Sequence, residues 1–176
     1  MLQLAKSRDG LKPCLSTADT FLTTGDDSVP KCNKILINDS AHLFPDPQST
    51  FLGAHKYLSA DGLLVVIVRS TQCTFPMWRA LQKKFAPVSV DKFQVYLEKA
   101  GFNIRTSTEV GTVKMTKLDW YGRLRKRIFS TQHEFSDEQI EEGLLELDQE
   151  WFPGKEESDL VEIRDSLLFY IATKEQ

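Results

Sequence analysis

Two short apolar runs, Lys34-Ile-Leu-Ile-Asn-Asp-Ser40 and the β-branched Leu63-Leu-Val-Val-Ile-Val-Arg69, constrain this chain more than any other feature. Each has the length of a strand, and runs with so little polar alternation belong to strands covered on both faces of a sheet. Between them Pro47 is placed to open a helix, and Phe51, Leu52, His55 and Leu58 recur at helical spacing. Ala60-Asp61-Gly62 supplies a turn that stops that helix. Strand, helix, turn, strand is a βαβ unit, and strands joined by a helical crossover lie parallel. A fainter copy precedes it, with Met1 to Arg8 as part of a helix and Pro13 to Thr17 as a short strand. The chain thus begins inside a repeating α/β pattern.

Downstream, Trp78, Leu81 and Phe85 fall at helical spacing and Pro87 ends the run. A second helix starts near Ser89, with Phe93, Tyr96, Leu97 and Ala100 on one face and Gly101 as its C′ residue. Phe102 to Val113 alternates imperfectly, as a strand with one exposed side does, and Ser166 to Thr173 is an apolar final strand; these two are expected to pair. Between them lie two helices with capping-box spacing at their starts, Thr116 with Asp119 and Ser136 with Gln139. Their expected apolar stripes are Leu118, Tyr121, Leu124/Arg125 and Ile128 in the first, and Ile140, Leu144, Leu147 and Trp151 in the second.

With 176 residues and 41% hydrophobic content, the chain suffices for one globular core, read as a single domain over 1–176 carrying a helical insert at 114–162. The longest apolar run, Leu63 to Val68, is far too short to span a bilayer, which needs about 20 residues, and no long apolar stretch marks a secretory signal. A soluble, cytoplasmic protein without membrane contact is the expectation. Cys14, Cys32 and Cys73 include no CxxC pair and no histidine at metal spacing, so they read as reduced thiols, with neither a disulfide framework nor a metal site. A net charge of -3 argues against nucleic acid as the main partner. Charge is nevertheless uneven: Arg123, Arg125, Lys126 and Arg127 cluster in the first insert helix, while 12 of the 25 acidic residues fall between Glu134 and Glu162. Either the two helices attract one another or the basic one faces an anionic ligand.

No GxGxxG, GxxxxGK[ST], GxSxG or HExxH motif is present, which removes the commonest motif-based enzyme readings. The candidates for chemistry come from position instead. In open parallel sheets, ligands bind at the carboxyl ends of strands. Asn38, Asp39, Ser40 and His42 lie at the end of the Lys34 strand, and Asp19 holds the same relative place after the Cys14 to Thr17 strand. The alternative is that Asp19 caps a helix starting at Thr20 and that Asn38 and Asp39 only make turn hydrogen bonds.

Several local phrases then resemble the later two-thirds of a class I S-adenosylmethionine (SAM) dependent methyltransferase. They are Met1-Leu2-Gln3-Leu4-Ala5-Lys6, Ala18-Asp19-Thr20-Phe21, Lys34 to Phe44 and Leu58-Ser-Ala-Asp-Gly-Leu63, occurring in the family's order. The resemblance implies an α/β, Rossmann-like, mostly parallel sheet with helices on both faces, an antiparallel C-terminal strand pair and a helical lid. It implies SAM as cofactor, with Asp19 accepting from the adenine amine, Thr20 and Phe21 packing on the ring, and Asn38, Asp39 and Ser40 lining the methionine side. His42 is then the candidate base at the transfer site, and Phe75, Trp78, Trp120 and Tyr121 are the aromatic candidates for contact with a small-molecule acceptor under the 114–162 lid, the alternative being that they pack the lid helices onto the core; Arg125 is the candidate for an acceptor carboxylate or phosphate. The family's first strand, glycine-rich loop and acidic second-strand end have no counterpart here. On this resemblance they would precede Met1 as roughly two strand–helix units of ~30 residues each, making the chain a fragment, a short isoform or an incomplete gene model. Methyl transfer is then in-line displacement at an activated methyl group, relying on alignment and, for a protonated acceptor, on a base. The rival expectation is a noncatalytic interaction subunit that pairs with a protein partner through an open sheet edge.

Overall fold

The computed structural model describes residues 14–24, 30–69, 75–84 and 91–174. The expected helix at Met1 to Arg8, Pro13, Cys73, Phe85, Pro87 and Ser89 lie outside them. The elements in chain order are α1 (Ala18–Thr24), β1 (Cys32–Asn38), a 3-10 turn (Ala41–Leu43), α2 (Pro47–Tyr57), β2 (Leu58–Arg69), α3 (Arg79–Lys84), α4 (Asp91–Lys99), β3 (Phe102–Thr116), α5 (Lys117–Arg125), a second 3-10 turn (Ser130–Glu134), α6 (Asp137–Glu150) and β4 (Leu160–Lys174).

The strands form one sheet in the order β1-β2-β4-β3. β1 and β2 are parallel, with Lys34 opposite Leu63 and Asn38 opposite Ile67, as the βαβ reading requires. β4 is antiparallel to its neighbours, so β3 runs the same way as β1 and β2 and the final strand sits between two strands made before it. The result is the Rossmann-like α/β arrangement expected from the sequence.

Three local expectations change. The Ala60-Asp61-Gly62 turn is instead an irregular start to β2: between the Cys32–Leu58 and Lys34–Leu63 pairs, β1 advances two residues while β2 advances five. The chain bulges there, tightly enough that a Cβ on Gly62 would lie 2.8 Å from Leu58 Cδ2. β1, at the end of the strand order among the described residues, is not buried on two faces: Ile37 is 5% exposed but Leu36, on the opposite face, is 66% exposed. Cys14 to Thr17 is not a strand. Thr17 turns its hydroxyl onto Thr20, accepting from its backbone N at 3.4 Å, and α1 starts at Ala18, two residues before the Thr20 start that a cap at Asp19 would give.

The chain divides into two compact units. One comprises 1–67, 91–106 and 170–176, and the other 68–90 and 107–169. In the first, α1 lies on α2 so closely that a Cβ on Gly53 would stand 2.1 Å from the Leu22 carbonyl oxygen. The rings of Phe44, Phe51, Phe93 and Tyr170 follow one another edge to face at 6.3, 6.3 and 6.4 Å. α4 stops at Gly101, whose φ of +86° is the left-handed conformation predicted for a C′ glycine. The core of the second unit gathers Trp78, Leu81, Trp120, Tyr121, Leu124, Ile140, Leu144, Leu147 and Ile163. The insert therefore shares its core with residues on either side of it. The first insert helix is rotated from the expected stripe: Lys117, Trp120, Tyr121 and Leu124 are buried while Leu118 and Ile128 are 49% and 47% exposed. In α6, Ile140, Leu144 and Leu147 are buried as expected, but Phe152 takes the interior place expected of Trp151. Among the described residues no helix is long and apolar enough to cross a membrane.

Candidate functional site

At the carboxyl end of β1 the backbone turns abruptly. Asp39 has φ +48°, a left-handed conformation that aspartate tolerates better than most side chains. Its N–H donates to the Ile67 carbonyl at 2.8 Å, which prolongs the β1–β2 ladder by one bond and fixes where the chain leaves the sheet. Asn38 is exposed, and Asp39 and Ser40 are half-buried. The 3-10 turn follows, closed by Leu43 N–H to the Ser40 carbonyl at 2.9 Å. It is anchored at both ends by buried side chains, Ala41 at 0% and Phe44 at 8% exposure, which leaves His42 and Leu43 facing outward.

The next anchor is Asp46, which caps α2 by accepting from Ser49 N at 3.1 Å and from Ser49 Oγ at 2.5 Å. Those hydrogen bonds hold the Asp46 carboxyl below the ordinary carboxylate range. The sequence signals this cap, an Asp followed by Pro at the first helical position, but it was not among the expected site residues. Asn38, Asp39, Ser40 and His42 are thus held together as a polar strand-end segment between two anchored elements.

Asp19, Thr20 and Phe21 lie elsewhere in the same unit. They belong to the first turn of α1, Asp19 half-buried with its carbonyl accepting from Thr23 Oγ1 at 2.7 Å. The Phe21 ring stacks on Tyr57, the last residue of α2, at 5.4 Å and 15°. The Tyr57 carbonyl in turn meets Cys32 Sγ, at the amino end of β1, at 3.7 Å. A strand rises about 3.3 Å per residue, so Cys32 and Asn38 are ~20 Å apart. The α1 segment therefore sits beside the amino end of β1, and the Asn38–His42 segment at the other end.

The remaining expected contacts lie in the second unit, where Phe75, Trp78, Trp120 and Tyr121 are interior groups and Arg125 is exposed. Phe75 stacks on Trp120 at 6.1 Å, and Trp120 Nε1 donates to the Pro76 carbonyl at 3.1 Å. Trp78 packs on Gly143, where a Cβ would come within 2.5 Å of its ring. Tyr121 is 5% exposed and its hydroxyl donates to Asp148 Oδ1 at 2.7 Å; burial is the main cause that drives its pKa far above the ordinary phenol value. The buried Lys117 joins this network, its Nζ 2.7 Å from Asp148 Oδ1 and donating to the Lys155 carbonyl at 2.6 Å.

Arg125 grips Glu141 with two hydrogen bonds, Nε to Oε1 at 2.7 Å and Nη2 to Oε2 at 2.8 Å. Arg127 binds Asp137 at 2.5 Å. Of the two readings of the basic cluster, mutual attraction of α5 and α6 is the one these pairs support. Neither the second 3-10 turn nor the fully buried Gln132, which accepts from Phe129 N and donates to the Leu124 carbonyl, was expected. A glutamine between polar neighbours carries no sequence signal for burial.

For SAM, the strand-end set of amide, carboxylate, hydroxyl and imidazole suits the amino-acid and methyl-bearing end of the cofactor.

No family model matches the sequence, and no curated protein matches it. Among solved structures, the fold is similar to that of YcgJ from Bacillus subtilis, 11% identical, covering 85% of this chain and 68% of that one with a TM-score of 0.47. It is also similar to Haemonchus contortus phosphoethanolamine N-methyltransferase 2 in complex with phosphomonomethylethanolamine and S-adenosylhomocysteine, 12% identical, covering 82% and 33% with a TM-score of 0.41. The cyclopropane synthase MmaA2 of Mycobacterium tuberculosis is 17% identical, covering 84% and 57% with a TM-score of 0.40. The chain thus spans 33% of the Haemonchus enzyme and 57% of the mycobacterial one. The α/β, Rossmann-like reading rests on the sheet itself, ordered β1-β2-β4-β3 with β1 and β2 parallel.

Proposed function

We propose that this chain takes part in methyl transfer from SAM to a small-molecule acceptor, with Asn38, Asp39, Ser40 and His42 lining the transfer site. The observation that carries the reading is the left-handed Asp39 at the carboxyl end of β1, pinned by its hydrogen bond to the Ile67 carbonyl. Strained backbone at a strand end, in the place where parallel α/β sheets bind ligands, persists only when its surroundings hold it there.

SAM, when bound, supplies a methyl group already activated as a sulfonium. The chain's own part is alignment. The Asp39 carboxylate and Asn38 amide hold polar groups of the cofactor, and Ser40 offers a hydroxyl beside them. An imidazole nitrogen of the outward-facing His42 takes the proton of an acceptor that has one to lose. Because Ala41 and Phe44 anchor the turn on either side, this placement costs little reorganisation.

Calorimetric titration of SAM into the folded chain tests the reading. Saturable binding that Asp39→Asn weakens about tenfold or more, through loss of a charge-assisted contact, is the expected result. Asp19→Ala in the same titration reports whether adenine lies at α1: weakened binding places it there, and unchanged binding places it elsewhere. A folded chain that binds no SAM, or binds it equally well as Asp39→Asn, overturns the proposed site.

A further inference from the structure

β3 ends the sheet order, so one side of its backbone has no strand neighbour among the described residues. Arg105 to Lys114 are exposed without interruption, which in a strand means that neither face is covered. A long edge of this kind, free of proline, is a template for another strand. Its sequence restricts which strand fits. Ile104-Arg105-Thr106-Ser107-Thr108-Glu109-Val110 reads alike in both directions by chemical class: apolar, charged, Thr, Ser, Thr, oppositely charged, apolar.

We propose that β3 is a self-association edge, through which two copies of this chain pair antiparallel about a two-fold axis at Ser107. An isologous contact needs a self-complementary surface. With the axis at Ser107, Arg105 of each copy lies opposite Glu109 of the other, Thr106 opposite Thr108, and Ile104 opposite Val110. Opposite-charge, hydroxyl and apolar pairs of this sort stabilise directly opposed positions in antiparallel strands. Opposed residues share a face, so the axis must pass through a residue. Moving it to Thr106 sets Arg105 against Ser107 and Glu109 against Asn103, and moving it to Thr108 sets Arg105 against Gly111 and Glu109 against Ser107; neither pairs the charges. The Ser107 register alone satisfies both. Glu109 is available for this role, since its contact with Ser107 Oγ is long, at 3.5 Å. The inference does not depend on the methyl-transfer reading.

Sedimentation of the full chain over a wide range of concentration tests it, with circular dichroism to confirm that each variant is folded. The wild type forms a concentration-dependent dimer. Arg105→Glu and Glu109→Arg each set like charges opposite one another twice per dimer and raise its dissociation constant about tenfold. The double exchange, R105E with E109R, restores the opposite-charge pairs and returns the constant toward the wild-type value. A wild type that is monomeric at every concentration, a dimer indifferent to either single reversal, or a double exchange no better than the singles overturns the proposal.

Discussion

Gly53 is a glycine because α1 and α2 meet there without room for a methyl group. The Leu22 carbonyl carbon and oxygen that a Cβ would strike, at 2.6 and 2.1 Å, are backbone and cannot rotate away. Gly53→Ala therefore forces α1 off α2. Although alanine is the better helix former by about 1 kcal/mol, overpacking costs enough to leave a net loss of about 1–3 kcal/mol, measurable by urea denaturation. His55 provides a second prediction at this scale. Burial, followed by the positive charge of Lys174, lowers its pKa below the ordinary 6.5. The unfolded chain then binds the proton more readily than the folded one, so this group's contribution is complete above pH 6.5 and is lost as the pH falls through the lower, folded value. In thermal unfolding, the difference in midpoint between wild type and His55→Gln is expected to be flat above that pH and to move in the variant's favour below it.

Among the elements, those with a local signature were the legible ones. α6 starts at Ser136 because its hydroxyl accepts from Gln139 N at 3.3 Å while Gln139 Oε1 accepts from Ser136 N at 2.9 Å, the reciprocal pair read from the spacing of the two residues. Ser136→Ala breaks it at a cost of about 1 kcal/mol in chemical denaturation, whereas Ser136→Asp retains most of the cap. Gly101 and Pro47 were legible for the same kind of reason, each fixing a backbone conformation by itself. Other features were not legible. The phase of α5 depends on what it packs against, and the interior choice of Lys117 over Leu118 becomes intelligible only with Asp148 and the Lys155 carbonyl in place. The start of β2 likewise depends on its pairing with β1, which turns an expected three-residue turn into a bulge.

For the molecule as a whole, the parallel β1–β2 pair and the late antiparallel strand were foreseen from run length and chain order, whereas the strand order was not, since nothing local tells β4 to enter between β2 and β3. The candidate site was legible in part for a related reason. Asn38, Asp39, Ser40 and His42 are neighbours in sequence and stay together, whereas the place of Asp19 to Phe21 depends on how α1 docks, which sets the Phe21 ring on Tyr57. The position of β4 also bears on synthesis. A chain emerging from its amino end completes β3 when the strand that will hold it against β2 does not yet exist, and at about 5–20 residues per second that interval lasts on the order of seconds. During it β3 has two open sides rather than one, so the interval between the emergence of β3 and that of β4 is the period in which a nascent chain is most exposed to wrong pairing with its neighbours on the same message.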